Sequence, residues 1–207
     1  MKSELTTHSA CELIHANRAD AVVVSTMTAM KAMDSLAPEA ALSLSSVPLM
    51  GGAAGLGLGL ALAQPDRRIF VLDGDASLLM ELGVLSTVAQ AHPLHFIHFV
   101  FSNGVQFNGN GNLPLPGQKT VDFVAVSRAV GYVHGFRCAT LGELEKVLVD
   151  AYSLKGPALV ELIVKPDPAS LGPASPAPEQ PDKRFERMGS EARRLMSALG
   201  TAFNVAS

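Results

Sequence analysis

Apolar and polar positions alternate between two textures along this chain. Four short runs are almost uniformly apolar and rich in β-branched and aromatic residues: DAVVVS (20–25), RIFVL (68–72), HFIHFVF (95–101) and PALVELIV (157–164). Runs of that length and composition predict strands covered on both faces, as in a parallel sheet. Between them the spacing changes to the three-and-four rhythm of helices. Met27, Met30 and Met33 share one side of 27–36 and read as core filler. A glycine-rich apolar helix is predicted over 51–63. Leu78, Leu82, Leu85 and Ala89 line one face of a helix over 77–91. Two more helices are predicted over 122–130 and after Thr140, where Thr140 and Glu143 have the spacing of a capping box. The alternation predicts an α/β fold: a mainly parallel, twisted sheet with helices on both faces.

The pattern also divides the chain. Residues 1–165 form the expected domain. Residues 166–182, PDPASLGPASPAPEQPD, are dominated by proline and alanine and read as a linker. Residues 183–207 are expected to hold an amphipathic helix and tail. Within the domain, SNGVQFNGNGNLPLPGQKT (102–120) has no periodicity and is long for a connector, which marks it as a candidate functional loop.

Composition narrows the class without changing that picture. Of 207 residues, 48% are hydrophobic and 17% charged, so the chain can bury a full core. A formal charge of −3 gives no basis for nucleic-acid or anionic-membrane binding. The most apolar run, 49–63, is 15 residues and glycine-rich, short of the roughly 20 needed to cross a bilayer. No basic-then-apolar leader opens the chain, and Cys11 and Cys138 form neither a metal-ligand spacing nor a disulfide framework, so the expected compartment is the cytoplasm.

The candidate chemistry sits where strands end. In VLDGDASLLMELG (71–83) a buried strand empties into Asp73, Gly74, Asp75, Ala76 and Ser77. Asn103 follows Asp75 by 28 positions, just beyond the next strand. Consecutive strands of a strand–helix–strand unit run the same way, so both residues are expected at the carboxyl end of the sheet, where open α/β sheets bind ligands. A carboxylate and a side-chain amide are hard oxygen ligands suited to Mg²⁺, which is commonly shared with substrate phosphates. A helix start at Ser77 favours phosphate. Together they predict a magnesium-diphosphate site. The glycines at 51–59 do not make a dinucleotide fingerprint: position 60 is leucine, and LSLSSVPLM (42–50) before them is a poor strand. They read instead as a helix thinned to lie close to the sheet. His92, His95 and His98 do not read as a metal trio, because His95 and His98 lie three apart on a strand and face opposite sides.

Gly74-Asp75-Ala76-Ser77 followed by Ser102-Asn103-Gly104 resembles the cofactor motif of the thiamine diphosphate-dependent enzymes, G-D-G, a spacer, then N-N. Ala76 replaces a glycine and Ser102 the first asparagine. The stretch LMGGAAGLGLGLALAQPDRRIFVLDGDASLLMELGVLSTVAQ (49–90) is similar to the pyrophosphate-binding domain of phosphonopyruvate and sulfopyruvate decarboxylases, within a likeness that covers 19–165 and is densest over 50–103. The resemblance implies the thiamine diphosphate-binding fold and its cofactors, thiamine diphosphate and Mg²⁺. It implies metal ligation by Asp75, Asn103 and the main-chain carbonyl of Val105. Cofactor contacts are implied for Pro48, Met50, Gly51, Gly74, Asp75, Ala76, Ser77, Asn103 and Val105. Met50 corresponds to the residue that wedges between the cofactor's two rings, and the Pro48 carbonyl to the acceptor of its amino group. Pro48-Leu49 stands where the family has a small Gly-Ser pair.

In that family a glutamate from a separate pyrimidine-binding domain activates the cofactor. No second α/β unit that could carry it is visible in this chain. The resemblance therefore implies a β-type subunit of a 2-oxo acid decarboxylase, a lyase active within a homo- or hetero-oligomer, with a pyrimidine-domain α subunit completing the site. The 102–120 loop, with Asn108, Asn110, Asn112, Gln118 and Thr120, is expected to bear on the choice of 2-oxo acid. Three alternatives stay open: an acetolactate synthase-like enzyme, a 2-oxo acid oxidoreductase β subunit, and a non-catalytic scaffold that keeps the fold.

Overall fold

Uniformly apolar runs need cover on both sides, and the chain supplies it with helices. The computed structural model describes residues 4–47, 49–170 and 184–201. In chain order the elements are α1 (Thr7–Asn17), β1 (Val22–Ser25), α2 (Met27–Leu36), β2 (Ser43–Ser45), α3 (Gly52–Ala63), β3 (Ile69–Gly74), α4 (Asp75–Met80), α5 (Val84–Ala91), β4 (Phe96–Ser102), β5 (Val105–Gln106), β6 (Leu113–Pro114), α6 (Phe123–Val130), β7 (His134–Cys138), α7 (Leu141–Asp150), β8 (Ala158–Ile163) and α8 (Arg184–Ala198). Six strands form one sheet in the order β2-β1-β3-β4-β8-β7, every neighbouring pair parallel. The short β5 and β6 pair antiparallel as a separate hairpin.

Each face of the sheet carries its own core. Phe70, Leu72, Ile97, Phe99 and Val160 point to one side, beneath α1, α2 and α7. Val22, Val24, Ile69, Val71, Phe96 and Val100 point to the other, beneath α3, α5 and α6. The alternation along each strand is the period-two geometry of the pleat. Of the α3 glycines, Gly57 faces the sheet: a Cβ there would lie 2.4 Å from Val71 Cγ2, so glycine lets the helix approach. Gly55 and Gly59 face open space.

Several elements differ from the sequence-based expectation. The 42–50 segment does contain a strand, the edge strand β2, which pairs with β1 from Ser43 to Ser45. The outermost strand on the other side, β7, was not expected, nor was α1, whose buried stripe of Thr7, Ala10, Cys11 and Ile14 holds a single large apolar side chain. The helix expected over 77–91 is two helices. Three-residue hydrogen bonds from Glu81 to Ser86 tighten the backbone, and α4 closes at Glu81 before α5 starts. The helix expected in 183–207 is α8. It docks on the sheet edge, where Glu191 Oε2 accepts the Ser45 N–H at 3.0 Å, Leu195 joins the core, and Arg187 pairs with Asp34 at 2.9 Å. Most of the expected linker lies outside the described residues. No described helix is long and apolar enough to cross a membrane.

Candidate functional site

The chain runs from β1 outward to β2, then returns past β1 to start β3 on its other side. Connections therefore diverge between β1 and β3, and a crevice opens at the carboxyl ends of the two strands. A cavity of about 320 Å³ occupies it. Its walls come from the segment after β1 (Thr26 to Lys31), from Val47 and Met50 after β2, from the β3–α4 turn, and from the residues after β4.

Asp75 opens α4 at the floor and is 2% exposed. Both carboxylate oxygens are engaged: Oδ1 accepts the Ala76 N–H at 2.8 Å and Oδ2 the Gly104 N–H at 2.7 Å. The second bond ties the end of β3 to the residue beside Asn103. Asn103 follows β4, the parallel neighbour of β3, and its Oδ1 accepts the Val105 N–H at 2.9 Å. Burial raises the Asp75 carboxyl above its ordinary range, and hydrogen bonds from backbone N–H groups oppose that rise. Such a carboxylate is preorganised and short of compensating positive charge.

Met50, Gly74, Asp75, Ala76, Ser77, Asn103 and Val105 all line this cavity. Gly51 stands behind the wall. It caps α3 with φ +85°, and its N–H donates to Ser77 Oγ at 2.8 Å, fastening α3 to α4. A Cβ at Gly51 would fall 2.4 Å from Glu81 Cγ. Pro48 lies outside the described residues.

The opposite wall is the start of α2, which sequence reasoning did not assign to the site. Its cap, Thr26, spends its hydroxyl on the Ser46 carbonyl at 3.1 Å and gives no side-chain acceptor to the first turn. The N–H groups of that turn stand at the cavity wall, an arrangement that favours an anion. Met27 is held at φ +50°, a strained conformation for a long side chain and a feature concentrated at functional sites. The signal was out of reach because it depends on strand order, which the unrecognised β2 sets.

The 102–120 loop covers part of the mouth. Asn108 and Asn110 line the cavity. Asn108 Nδ2 lies 3.4 Å from Thr28 Oγ1 on α2 and donates to Asp167 Oδ2 at 2.9 Å, while the Asp167 N–H donates back to Asn108 Oδ1 at 2.8 Å. Asn112 Nδ2 donates to the Asp167 carbonyl at 2.8 Å. The chain beyond β8 thus latches the loop. Gln118 packs against Gly104, and Thr120 bonds back to Gly117 within its own turn. Of the histidines, His98 is sealed within the sheet, whereas His95 precedes β4 at the amino end of the sheet, near Arg68 and Lys155.

These features can hold a divalent cation and an adjacent polyanion. A carboxylate and an amide stand on the floor, unfilled helix N–H groups line the wall, and Met50 provides an apolar shelf. The donor set fits Mg²⁺ with a diphosphate. Comparison with known proteins agrees in kind. Residues 21–162 match the family model described as thiamine pyrophosphate enzyme, C-terminal TPP binding domain. A phosphonopyruvate decarboxylase from Streptomyces hygroscopicus is 38% identical over 162 residues, covering 78% of this chain and 39% of that protein. A sulfopyruvate decarboxylase subunit beta from Methanothermobacter thermautotrophicus is 34% identical over 122 residues, 59% of this chain and 62% of that one. The benzoylformate decarboxylase structure from Polynucleobacter necessarius superimposes with a TM-score of 0.61 at 24% identity, over 80% of this chain and 34% of that one, a likeness of fold. The chain thus spans less than two thirds of the length of each of these relatives.

Proposed function

The chain belongs to the thiamine pyrophosphate enzymes, whose C-terminal TPP-binding domain it carries, and on that premise we propose that it is the thiamine diphosphate- and Mg²⁺-binding subunit of a 2-oxo acid decarboxylase. The observation that carries the proposal is the convergence of Asp75 and Asn103, delivered by adjacent parallel strands, on one cavity faced by the uncapped start of α2.

The residues at the cavity divide that function among them. Asp75, the Asn103 amide oxygen and the Val105 carbonyl hold the metal. The first turn of α2 and the N–H groups at the start of α4 receive the diphosphate. Met50 supports the cofactor from beneath, and Gly51 with Ser77 keeps the shelf in place. Thiamine diphosphate, when bound, supplies an electron sink for the loss of CO₂ from a 2-oxo acid. The substrate class follows the phosphonopyruvate and sulfopyruvate decarboxylase relatives.

The activating glutamate is assigned to a pyrimidine-domain partner. Two features support a partner: one relative is named as a subunit beta, and exposed apolar side chains gather at the cavity mouth. Met80 and Phe107 line the cavity yet are 54% and 65% exposed, and Leu49, next to Met50, is 62% exposed. The buried thiols Cys11 and Cys138, with pKa values pushed up to about 12 and about 11 by burial, suit a reducing cytoplasm.

Calorimetric titration of the full chain with thiamine diphosphate, with and without Mg²⁺, tests the proposal. The wild type is expected to bind in a magnesium-dependent manner, and Asp75→Ala to lose about 100-fold or more in affinity. Equal binding by the two proteins overturns the metal assignment.

A further inference from the structure

Helix α8 reaches the free edge of the sheet and holds two elements that wall the cavity. β2 has a strand neighbour on one side only, and successive residues of a strand turn their N–H groups to opposite sides. The Ser46 N–H turns inward and donates to the Ser25 carbonyl at 2.8 Å. The Ser45 N–H turns outward, where Glu191 Oε2 accepts it at 3.0 Å. Both residues are buried, Ser45 at 5% and Glu191 at 8% exposure. Glu191 Oε1 lies 3.5 Å from Arg187 Nη2, and the same nitrogen donates to Asp34 Oδ2 at 2.9 Å, in the last turn of α2.

These contacts close a ring. α8 grips β2 through Glu191 and α2 through Arg187. The start of α2 is tied in turn to the residue after β2, because the Thr26 hydroxyl donates to the Ser46 carbonyl at 3.1 Å. Both arms of the ring lead into the cavity. Thr26 to Lys31 form one wall, and Val47 and Met50, a few residues past Ser45, contribute to another. A helix that only covered a strand edge would need its apolar contact, which Leu195 supplies within the core. It would not need a carboxylate sealed from water, which is costly wherever partners are lacking. Glu191 is given partners, and they lead to the two elements that carry those walls.

We propose that α8 is a bracket for the cofactor site, with Glu191 as its positioning residue: it fixes the segment from Ser45 to Met50 and α2 in the arrangement that receives thiamine diphosphate. That role rests on the cofactor binding proposed for the cavity and adds to it an element that touches neither cofactor nor metal. Coupling of this kind is reciprocal, so bound cofactor also holds α8 more tightly on the sheet edge.

Full-length Glu191→Ala, Glu191→Gln and Arg187→Ala test it. Three quantities are measured: thiamine diphosphate affinity at saturating Mg²⁺, the unfolding midpoint without ligand, and amide hydrogen exchange along α8 with and without the cofactor. Glu191→Ala is expected to bind about 10-fold more weakly, within the usual range of coupling between sites. Glu191→Gln, which keeps an oxygen for the Ser45 N–H, should recover most of that loss. Arg187→Ala, which cuts the arm to α2, should bind about 3-fold more weakly, as befits a half-exposed ion pair. In the wild type, Mg²⁺ with cofactor should slow exchange along α8. Wild-type affinity in Glu191→Ala, with or without a lower midpoint, overturns the positioning role and leaves α8 an edge cover. Exchange along α8 that ignores bound cofactor overturns it too. Should Glu191→Ala fail to fold, Arg187→Ala and the α8 exchange decide. Binding that is equal in wild type and variants refutes the bracket and leaves the proposed function standing. No magnesium-dependent binding by the wild type refutes both.

Discussion

The two ends of the sheet treat helix termini in opposite ways. At the amino end, helix carbonyls are met from within the chain. Arg68 donates to the Ala151 and Tyr152 carbonyls past the end of α7 and lies 4.4 Å over the Tyr152 ring. The Tyr152 hydroxyl donates to the Arg18 carbonyl at 2.6 Å, past the end of α1. At the carboxyl end, the two helices that line the cavity start without a cap from their N-cap residues: neither Thr26 of α2 nor Gly74 of α4 gives a side-chain cap. The chain can build such caps, since Thr6, Asp122 and Thr140 cap α1, α6 and α7. An N-cap is worth about 1 kcal/mol. Forgoing it twice around one cavity, beside a buried carboxylate, marks the end of the molecule that is completed by a ligand. The amino end is completed by the fold itself.

Breaking the closed end should cost stability and spare binding. Arg68→Ala removes two charge-assisted hydrogen bonds and a cation–π contact from a side chain that is nearly buried. It should lower unfolding free energy by about 2–4 kcal/mol in a denaturant titration and leave magnesium-dependent cofactor binding unchanged.

Changing the open end should do the reverse, with a pH signature. Burial raises the Asp75 carboxyl in the ligand-free fold above its unfolded value. The fold therefore keeps a proton that the unfolded chain has released. The stability from that proton is complete below the unfolded pKa, about 4, and is lost as pH rises through the folded one. Relative to Asp75→Asn, the wild type should fall in unfolding midpoint across that window and hold a constant deficit above it. Mg²⁺ with diphosphate, which requires the carboxylate, should stabilise only the wild type.

The smallest effect is expected at the latch. Asp167 is exposed, so Asp167→Ala should change global stability by no more than about 1 kcal/mol. Hydrogen exchange of residues 107–112 should nonetheless quicken, because the Asn108 bond to Asp167 Oδ2 is lost and the two bonds that the Asp167 main chain makes, its N–H to Asn108 Oδ1 and its carbonyl from Asn112 Nδ2, are weakened.

Legibility followed position in the sheet. Central strands β1, β3, β4 and β8 are covered on both faces, so they are written as uninterrupted apolar runs. Edge strands have one neighbour and tolerate polarity: β2 reads SLS and β7 reads HGFRC, and neither announces itself. The Asp75–Asn103 pairing was legible because it depends on one strand–helix–strand unit. The α2 wall was not, because it depends on the order in which distant strands assemble. The α8 bracket escaped for the same reason: Glu191 and Ser45 are 146 positions apart and meet only at the sheet edge. Local spacing carries what one unit builds; the rest is carried by topology.

The central claim is that Asp75 and Asn103 hold one divalent ion at the open end of the sheet. A crystal grown with thiamine diphosphate and Mn²⁺ tests it directly by anomalous scattering. A manganese peak within about 2.0–2.4 Å of both the Asp75 carboxylate and the Asn103 amide oxygen is the expected result. A cofactor bound with its metal ligated by neither side chain would contradict the account.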